Sequence, residues 1–414
     1  MNRRTLIGGI TAAIGMLFCA ASGWTQSGPA AISAGISDGV VRLGLLLDLS
    51  GPYAPQTGKG SQAAAQMAVE DFGGKVLGAP IQILTADHHE SADQAAAIAR
   101  DWFGNQNVDA ILDVSGSSPA LYVQRLAETR NKIVILNAPG ANRLTGEGCT
   151  ATSIHYSNDS YSVAHTLGRA IVADGGDSWF FITPDYSYGY DLEDETAKVV
   201  KANGGTVIGH VRHPLGTDDF SSYLLQAQQS RAKVIALANA GADTTNAIKT
   251  AAALGMIPSN QRFVGLSMRI TQVNDLGLAT AQGMLLTESF YWDTDDATRA
   301  WSKRFFDRVG AMPNAIQAGL YSATTHYLQA VAKAGTDATE PVIQAMRAAP
   351  INDFFAHDGH IRVDGVMVHD MSLFRVKTPA ESRYPWDYFQ RIATIPGAQV
   401  FQPLAESKCP LVHQ

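Results

Sequence analysis

Charge is scarce in this chain. Only 17% of its 414 residues are Asp, Glu, Lys or Arg, and acids outnumber bases 38 to 31. No run of Lys and Arg occurs and no basic stretch is interleaved with aromatics, so nothing points to a nucleic-acid partner. Cysteine is scarcer still, at three residues, none beside a recognisable base. The patterns G-x-S-x-G and H-E-x-x-H are both missing, which leaves no signature of hydrolytic chemistry. After the N-terminal segment, no apolar run approaches the length that spans a bilayer.

What the chain does have is apolar mass and small residues. It is 46% hydrophobic and holds 38 glycines, a composition that suits an α/β protein of more than one domain. Arg3 and Arg4 precede an apolar run that ends in small residues at Ala20 and Ala21. That is the order of an export signal. We expect residues 1–26 to be a signal peptide, cut between Ala21 and Gln26, with a twin-arginine or a general secretory route open. The mature protein is then expected in the periplasm. Without Arg3 and Arg4, 29 basic residues stand against 38 acidic ones, a net charge of −9.

Strand-like runs alternate with Ala-rich amphipathic segments. Strands are expected over 41–47, 81–85, 110–114 and 132–137, with helices over 61–72, 92–105 and 119–129 between them. This predicts a doubly wound parallel sheet. The alternation restarts with strands over 179–183, 205–213, 233–238 and 262–266 and helices over 191–202, 220–230 and 243–254. Runs at 283–287 and 290–292 are expected to return to the first half, ahead of helices over 298–309 and 318–334. Asp358-Gly359 and Asp364-Gly365 signal one or two hairpins in the tail. Crossings near Tyr156, Thr287 and His357 would give a first lobe of 38–156 and 287–356. The second lobe would be 157–286, completed by 357–414, which includes the C-terminal tail. In an oxidising compartment Cys149 and Cys409 can pair and tie that tail to the first lobe; two unpaired thiols are the alternative.

The loop SGPYAPQTGKG at 50–60 follows a strand and invites comparison with a phosphate loop. Walker A spacing requires four residues between its first Gly and the Gly-Lys pair, whereas six separate Gly51 from Gly58. Two prolines also remove N–H donors that a phosphate would need. The loop instead predicts Tyr53 and Thr57 at the mouth of a crevice, with Lys59 in solvent. His88, His89 and Glu90, like His357 and His360, are expected as surface polar residues and not as metal ligands: adjacent histidines on an extended strand face opposite sides.

In chain order come Ser50-Gly51-Pro52, Asp87 with Ala95-Ala96-Ala97, Ser115-Gly116-Ser117-Ser118-Pro119, and Asn137-Ala138-Pro139-Gly140 with Leu144-Thr145-Gly146. Asp185-Tyr186-Ser187-Tyr188-Gly189, Asp219-Phe220-Ser221-Ser222, Gln317-Ala318-Gly319-Leu320-Tyr321-Ser322 and His369-Asp370 follow. In this order and spacing the chain resembles the periplasmic leucine/isoleucine/valine-binding family, the type I solute receptors of ABC importers. The resemblance implies two Rossmann-like lobes joined by three hinge crossings and closing over a small solute. It also implies an ABC permease as partner, a monomer, no cofactor and no covalent chemistry.

In such a fold, strand C-termini and helix N-termini of both lobes face one crevice, where backbone N–H groups accept a carboxylate. Ser117 and Ser118 are expected to anchor it; the alternative is ordinary helix capping, worth about 0.5–2 kcal/mol. Gly140, Ala141 and Asn142 fall where the family's amino-acid receptors meet the polar head of the ligand. The family's branched-chain receptors place a tyrosine and an acid at positions that fall near Ala240, beside Asn239, and at Ser267. A buried ammonium thus loses its compensating charge, unless Asp243 replaces it instead of capping a helix. Aromatic residues remain near the crevice: Tyr53, Tyr186, Tyr188 and Trp292, with plain core burial the alternative for Tyr188 and Trp292. The sequence therefore reads as a binding protein for a small carboxylate-bearing solute, leaning to an aromatic acid, and not as an enzyme. A branched-chain or other amino acid is the alternative ligand. A ligand-sensing receptor domain serving a signalling partner is the alternative of another class.

Overall fold

The computed structural model describes residues 35–258 and 260–413; the expected export signal lies outside the described residues. The first sheet contains β1 (Val41–Leu47), β2 (Lys75–Val76), β3 (Ala79–Asp87), β4 (Ala110–Val114), β5 (Ile133–Leu136) and β6 (Ser153–His155). Their order is β2-β3-β1-β4-β5-β6, parallel throughout except for β2. The inner strands are near-continuous apolar runs because helices cover both faces of the sheet. Those helices are Gly58–Asp71, Ala92–Gly104 and Ser117–Thr129, the first laying Ala64, Ala65, Met67 and Ala68 into the interior. The edge strands β2 and β6, at two and three residues, are too short to show a period in the sequence.

The second sheet holds β7 (Ser178–Pro184), β8 (Thr206–His213), β9 (Val234–Leu237) and β10 (Arg262–Gly265), all parallel, in the order β10-β9-β7-β8. Trp179, Phe181, Leu192 and Val264 form its buried core. Both sheets reverse direction of growth at their first strand: β1 lies between β3 and β4, and β7 between β8 and β9. Crossovers leave such a strand to opposite faces, which opens a crevice at its C-terminal end. The two crevices face one another, and the Ala242 N–H of the second lobe donates to the Pro52 carbonyl of the first at 3.0 Å.

The remaining strands are β11 (Leu285–Glu288), β12 (His360–Ile361), β13 (Met367–Val368), β14 (Met371–Val376) and β15 (Phe389–Ile395). Here the structure corrects the sequence reading. β11 does not rejoin the first sheet; it pairs antiparallel with β14, which pairs with β15, in a third sheet. Residues 290–292 form no strand, and their three rings are buried. The return to the first lobe is made by helices Asp296–Val309 and Ala315–Ala334, where Arg304 and Tyr321 both bond Asp71 at 2.6 Å. The hairpin β12–β13 turns at Asp364-Gly365, and the His155 N–H donates to the Gly365 carbonyl at 2.8 Å. Residues 360–368 thus extend the edge of the first sheet.

Cys149 and Cys409 are bonded, with their Cα atoms 5.6 Å apart. The bond closes a loop of 260 residues, a constraint on the unfolded chain worth about 2–4 kcal/mol. Replacing both cysteines by serine should therefore lower the melting temperature under non-reducing conditions. An unchanged melt, with or without reductant, would show that the tail needs no tether.

Candidate functional site

The facing crevices meet at a cleft. From the first lobe it is lined by Tyr53, Gln56 and Thr57 after β1, Gly116 and Ser117 after β4, 138–140 after β5, and Ile316. From the second come Tyr186 and Tyr188 after β7, Ala240 after β9, and Ser267 and Arg269 after β10.

Buried carboxylates build these loops. Asp48, fully buried, accepts the N–H groups of Gly51 at 2.6 Å and Tyr53 at 2.8 Å. This folds the loop 50–57 back and turns Tyr53 inward, while Lys59 points to solvent. Asp113 sits at φ 72°, a conformation that costs a non-glycine residue about 1–3 kcal/mol. It accepts from the Asn137 and Ala138 N–H groups at 3.0 and 2.8 Å, and burial pushes its carboxyl up to about 6. The loop that presents Gly140 hangs on that pair.

Three tyrosines shape the interior. Tyr53 and Tyr186 approach across the cleft with centroids 6.3 Å apart, and burial raises both phenols well above their ordinary range. The Tyr186 hydroxyl accepts the Ser118 N–H at 3.3 Å, at the N-terminus of helix Ser117–Thr129. Tyr188 donates to Ser267 Oγ at 3.1 Å. Its ring lies so close to Gly140 that a Cβ there would meet it at 2.7 Å.

Arg269 supplies the cleft's cation. Its side chain is 6% exposed, and one Nη donates to Glu288 Oε2 at 2.8 Å. Its Nε is buried with no hydrogen-bond partner among the described residues, and Glu288 Oε1 likewise. Burial raises Glu288 to about 7, against the lowering effect of Arg269.

Tyr53, Ser117, Gly140, Tyr186, Tyr188, Ala240 and Ser267 are thus brought together at one cleft. The other expected residues lie elsewhere. Ser118 bonds Ser187 Oγ at 2.8 Å, a contact between the lobes. Ala141 is core, its N–H donating to Ser117 Oγ at 3.2 Å. Asn142 opens onto a separate polar groove beside Arg143 and Asp191, and its N–H is taken by Ser160. Asn239 lies beneath the cleft, holding Thr244 and His213. Trp292 is remote, its indole N–H donating to the Trp386 carbonyl at 2.9 Å. Asp243 is not the N-cap, which is Ala240, and does not line the cleft; one oxygen accepts the Gly216 N–H at 3.2 Å and the other is buried with no partner among the described residues. His88 and Glu90 are not on the surface; both side chains are buried.

Arg269 and Gln56 were not anticipated. Arg269 carried a readable signal, since a lone arginine between Met268 and Ile270 directly follows a buried strand. Gln56 gave none; it donates to Gln272 Oε1 across the lobes at 2.6 Å, while Asn314 and Gln317 hold its carbonyl.

A family model described as periplasmic binding protein matches residues 40–382. A periplasmic binding protein from Burkholderia mallei is 46% identical, with a TM-score of 0.88 over 90% of this chain and 99% of that one. A branched chain amino acid ABC transporter periplasmic ligand-binding protein from Burkholderia xenovorans LB400 is 39% identical, with a TM-score of 0.80 over 90% and 100%. Leu/Ile/Val-binding protein homolog 6 of Brucella melitensis is 23% identical over 265 residues, 63% of this chain; the chain spans 66%, just under two thirds, of that relative's length. With two doubly wound lobes meeting at their switch points and a match that runs from β1 past the third sheet's second strand, the chain belongs to the periplasmic binding protein family.

Proposed function

We propose that this protein is an exported receptor that captures a small carboxylate-bearing solute, aromatic in its body, between its lobes and delivers it to the membrane permease of an ABC importer. The observation that carries this reading is Arg269: a buried guanidinium lining the cleft, with its Nε donor unpartnered among the described residues. A carboxylate is the group whose geometry matches a guanidinium edge. Tyr53, Tyr186 and Tyr188 offer flat apolar area with hydroxyl tips, which suits a ring. An amino acid is the second reading, favoured by the likeness to the branched chain amino acid ABC transporter periplasmic ligand-binding protein of Burkholderia xenovorans. Against it, no acid stands in the second-lobe lining, where Ala240 and Ser267 are, and the Arg269 guanidinium at that wall would repel an ammonium.

Capture is a hinge motion in which solute stabilises the closed lobes by its differential affinity. The Pro52–Ala242, Gln56–Gln272 and Arg143–Asp191 contacts hold the lobes together around the cleft. Solute at about a hundred times its dissociation constant should add about 2.7 kcal/mol of stability. In a thermal-shift panel, benzoate-type acids should therefore raise the melt; a shift with leucine or valine alone would refute the aromatic body. Arg269→Met should weaken carboxylate binding about tenfold or more, and Ser117→Ala more modestly, with both variants still folded. Unaltered affinity in the Arg269 variant would remove it as the anchor.

Glu288 makes binding depend on pH. Its folded value, about 7, lies above the ordinary 4.5, so its contribution to stability is fully present below 4.5 and lost as pH rises through about 7. Over the upper part of that window the ionised carboxylate also competes with solute for Arg269. Carboxylate affinity should fall between about pH 6 and about pH 8, and Glu288→Gln should flatten the profile. An equally steep profile in that variant would assign the dependence to another group.

A further inference from the structure

A second buried charge-bearing group stands at the first-lobe wall. Glu90 ends the turn Asp87-His88-His89-Glu90 that follows β3. His89 and Glu90 both have positive φ, 50° and 57°, a conformation sparsely populated outside glycine and asparagine. The turn is pinned by Asp87, which accepts the His89 N–H at 2.9 Å, and by His88 Nδ1, which accepts the Glu90 N–H at 3.0 Å. The result is a carboxyl group turned inward, its side chain 6% exposed.

Neither Glu90 oxygen has a hydrogen-bond partner among the described residues. His88 Nε2, the ring nitrogen on that side, stays 4.0 Å from Oε1. The other oxygen is at the cleft: a Cβ placed on Gly116 would lie 2.0 Å from Glu90 Oε2 and 2.8 Å from the Tyr186 hydroxyl. The glycine backbone that lines the cleft, the tyrosyl oxygen and the free carboxyl oxygen therefore share one corner. Burial first, and then the nearby Asp48, Asp87 and Asp113, push the Glu90 carboxyl well above its ordinary range. An oxyanion would add to that crowding of acids, whereas a hydrogen-bond donor would relieve it. Buried unpaired polar groups are few in native proteins because each costs its desolvation, and this one borders the cleft.

We infer that Glu90 selects the solute: it accepts a hydrogen bond from a donor, hydroxyl or ammonium, carried by the end of the solute that meets Gly116, while the carboxylate end meets Arg269 on the opposite lobe. This rests on the carboxylate reading above and adds a second required group. Gly116 is then obligatory, because any side chain would fill the corner.

The test is titration of two matched pairs, benzoate with 4-hydroxybenzoate and 4-methylbenzoate with 4-(aminomethyl)benzoate, against the unaltered protein, Glu90→Gln and Glu90→Met. The unaltered protein should favour the donor-bearing member of one pair by about tenfold, and Glu90→Met should abolish the preference. Glu90→Gln keeps an acceptor oxygen, so it should retain a preference that comes from hydroxyl and lose one that comes from ammonium. Should Glu90→Met fail to fold, the effect of Glu90→Gln on the charge-dependent pair decides the matter together with the unaltered protein's preference. Equal affinity within both pairs overturns the role of Glu90 and leaves the carboxylate reading standing, as does a preference that survives in Glu90→Met. Failure of all four acids to bind overturns both.

Discussion

Arg269 enters the cleft as a buried cation, and a cation taken out of water must be paired or its burial costs several kcal/mol. Glu288 supplies the pairing, but only through one of its oxygens and one arginine nitrogen. The pair also joins two places in the fold. Arg269 ends the loop after β10 in the second lobe, and Glu288 closes β11, the strand that pairs with β14 in the third sheet. A change in charge at the cleft therefore acts directly on the third sheet.

Around that pair, the cleft is built by carboxylates that hold backbone. Asp48 spends both oxygens, and Asp113 one, on loop N–H groups, so their role is to fix where Tyr53 and Gly140 stand. Gln56 works similarly across the lobes through Gln272, which in turn donates to the Gly241 carbonyl at 2.9 Å. With loop geometry fixed in this way, the surfaces left open are phenol edges, Arg269 and the corner at Gly116. These are a base on one lobe, an acid on the other and rings between them.

The alternation of the two halves was legible because parallel strands covered on both faces must be apolar runs, and their crossover helices must show a helical period. Positions at strand ends followed from the switch-point geometry, which is why Tyr53, Ser117, Tyr186 and Ser267 were found together. Trp292 was not separable from a cleft ring, since a buried aromatic reads the same in either place; its partner Trp386 lies 94 residues away. The third sheet escaped because β11 pairs with β14 across a long insertion, and register across such a gap has no local signal. His88 and Glu90 were placed on the surface for a similar reason: two consecutive positive φ values turn an otherwise polar segment inward, and no composition reveals it. Arg269 was readable in principle, as a charge flanked by apolar residues at a strand's end.

The measurement that bears most directly on the central claim is a crystal structure of the protein with the solute that co-purifies with it. A small molecule should lie between the tyrosines with its carboxylate within about 3.2 Å of Arg269 Nε. A solute without a carboxylate, or one whose carboxylate sits away from Arg269 while Nε stays unpaired, would contradict the account.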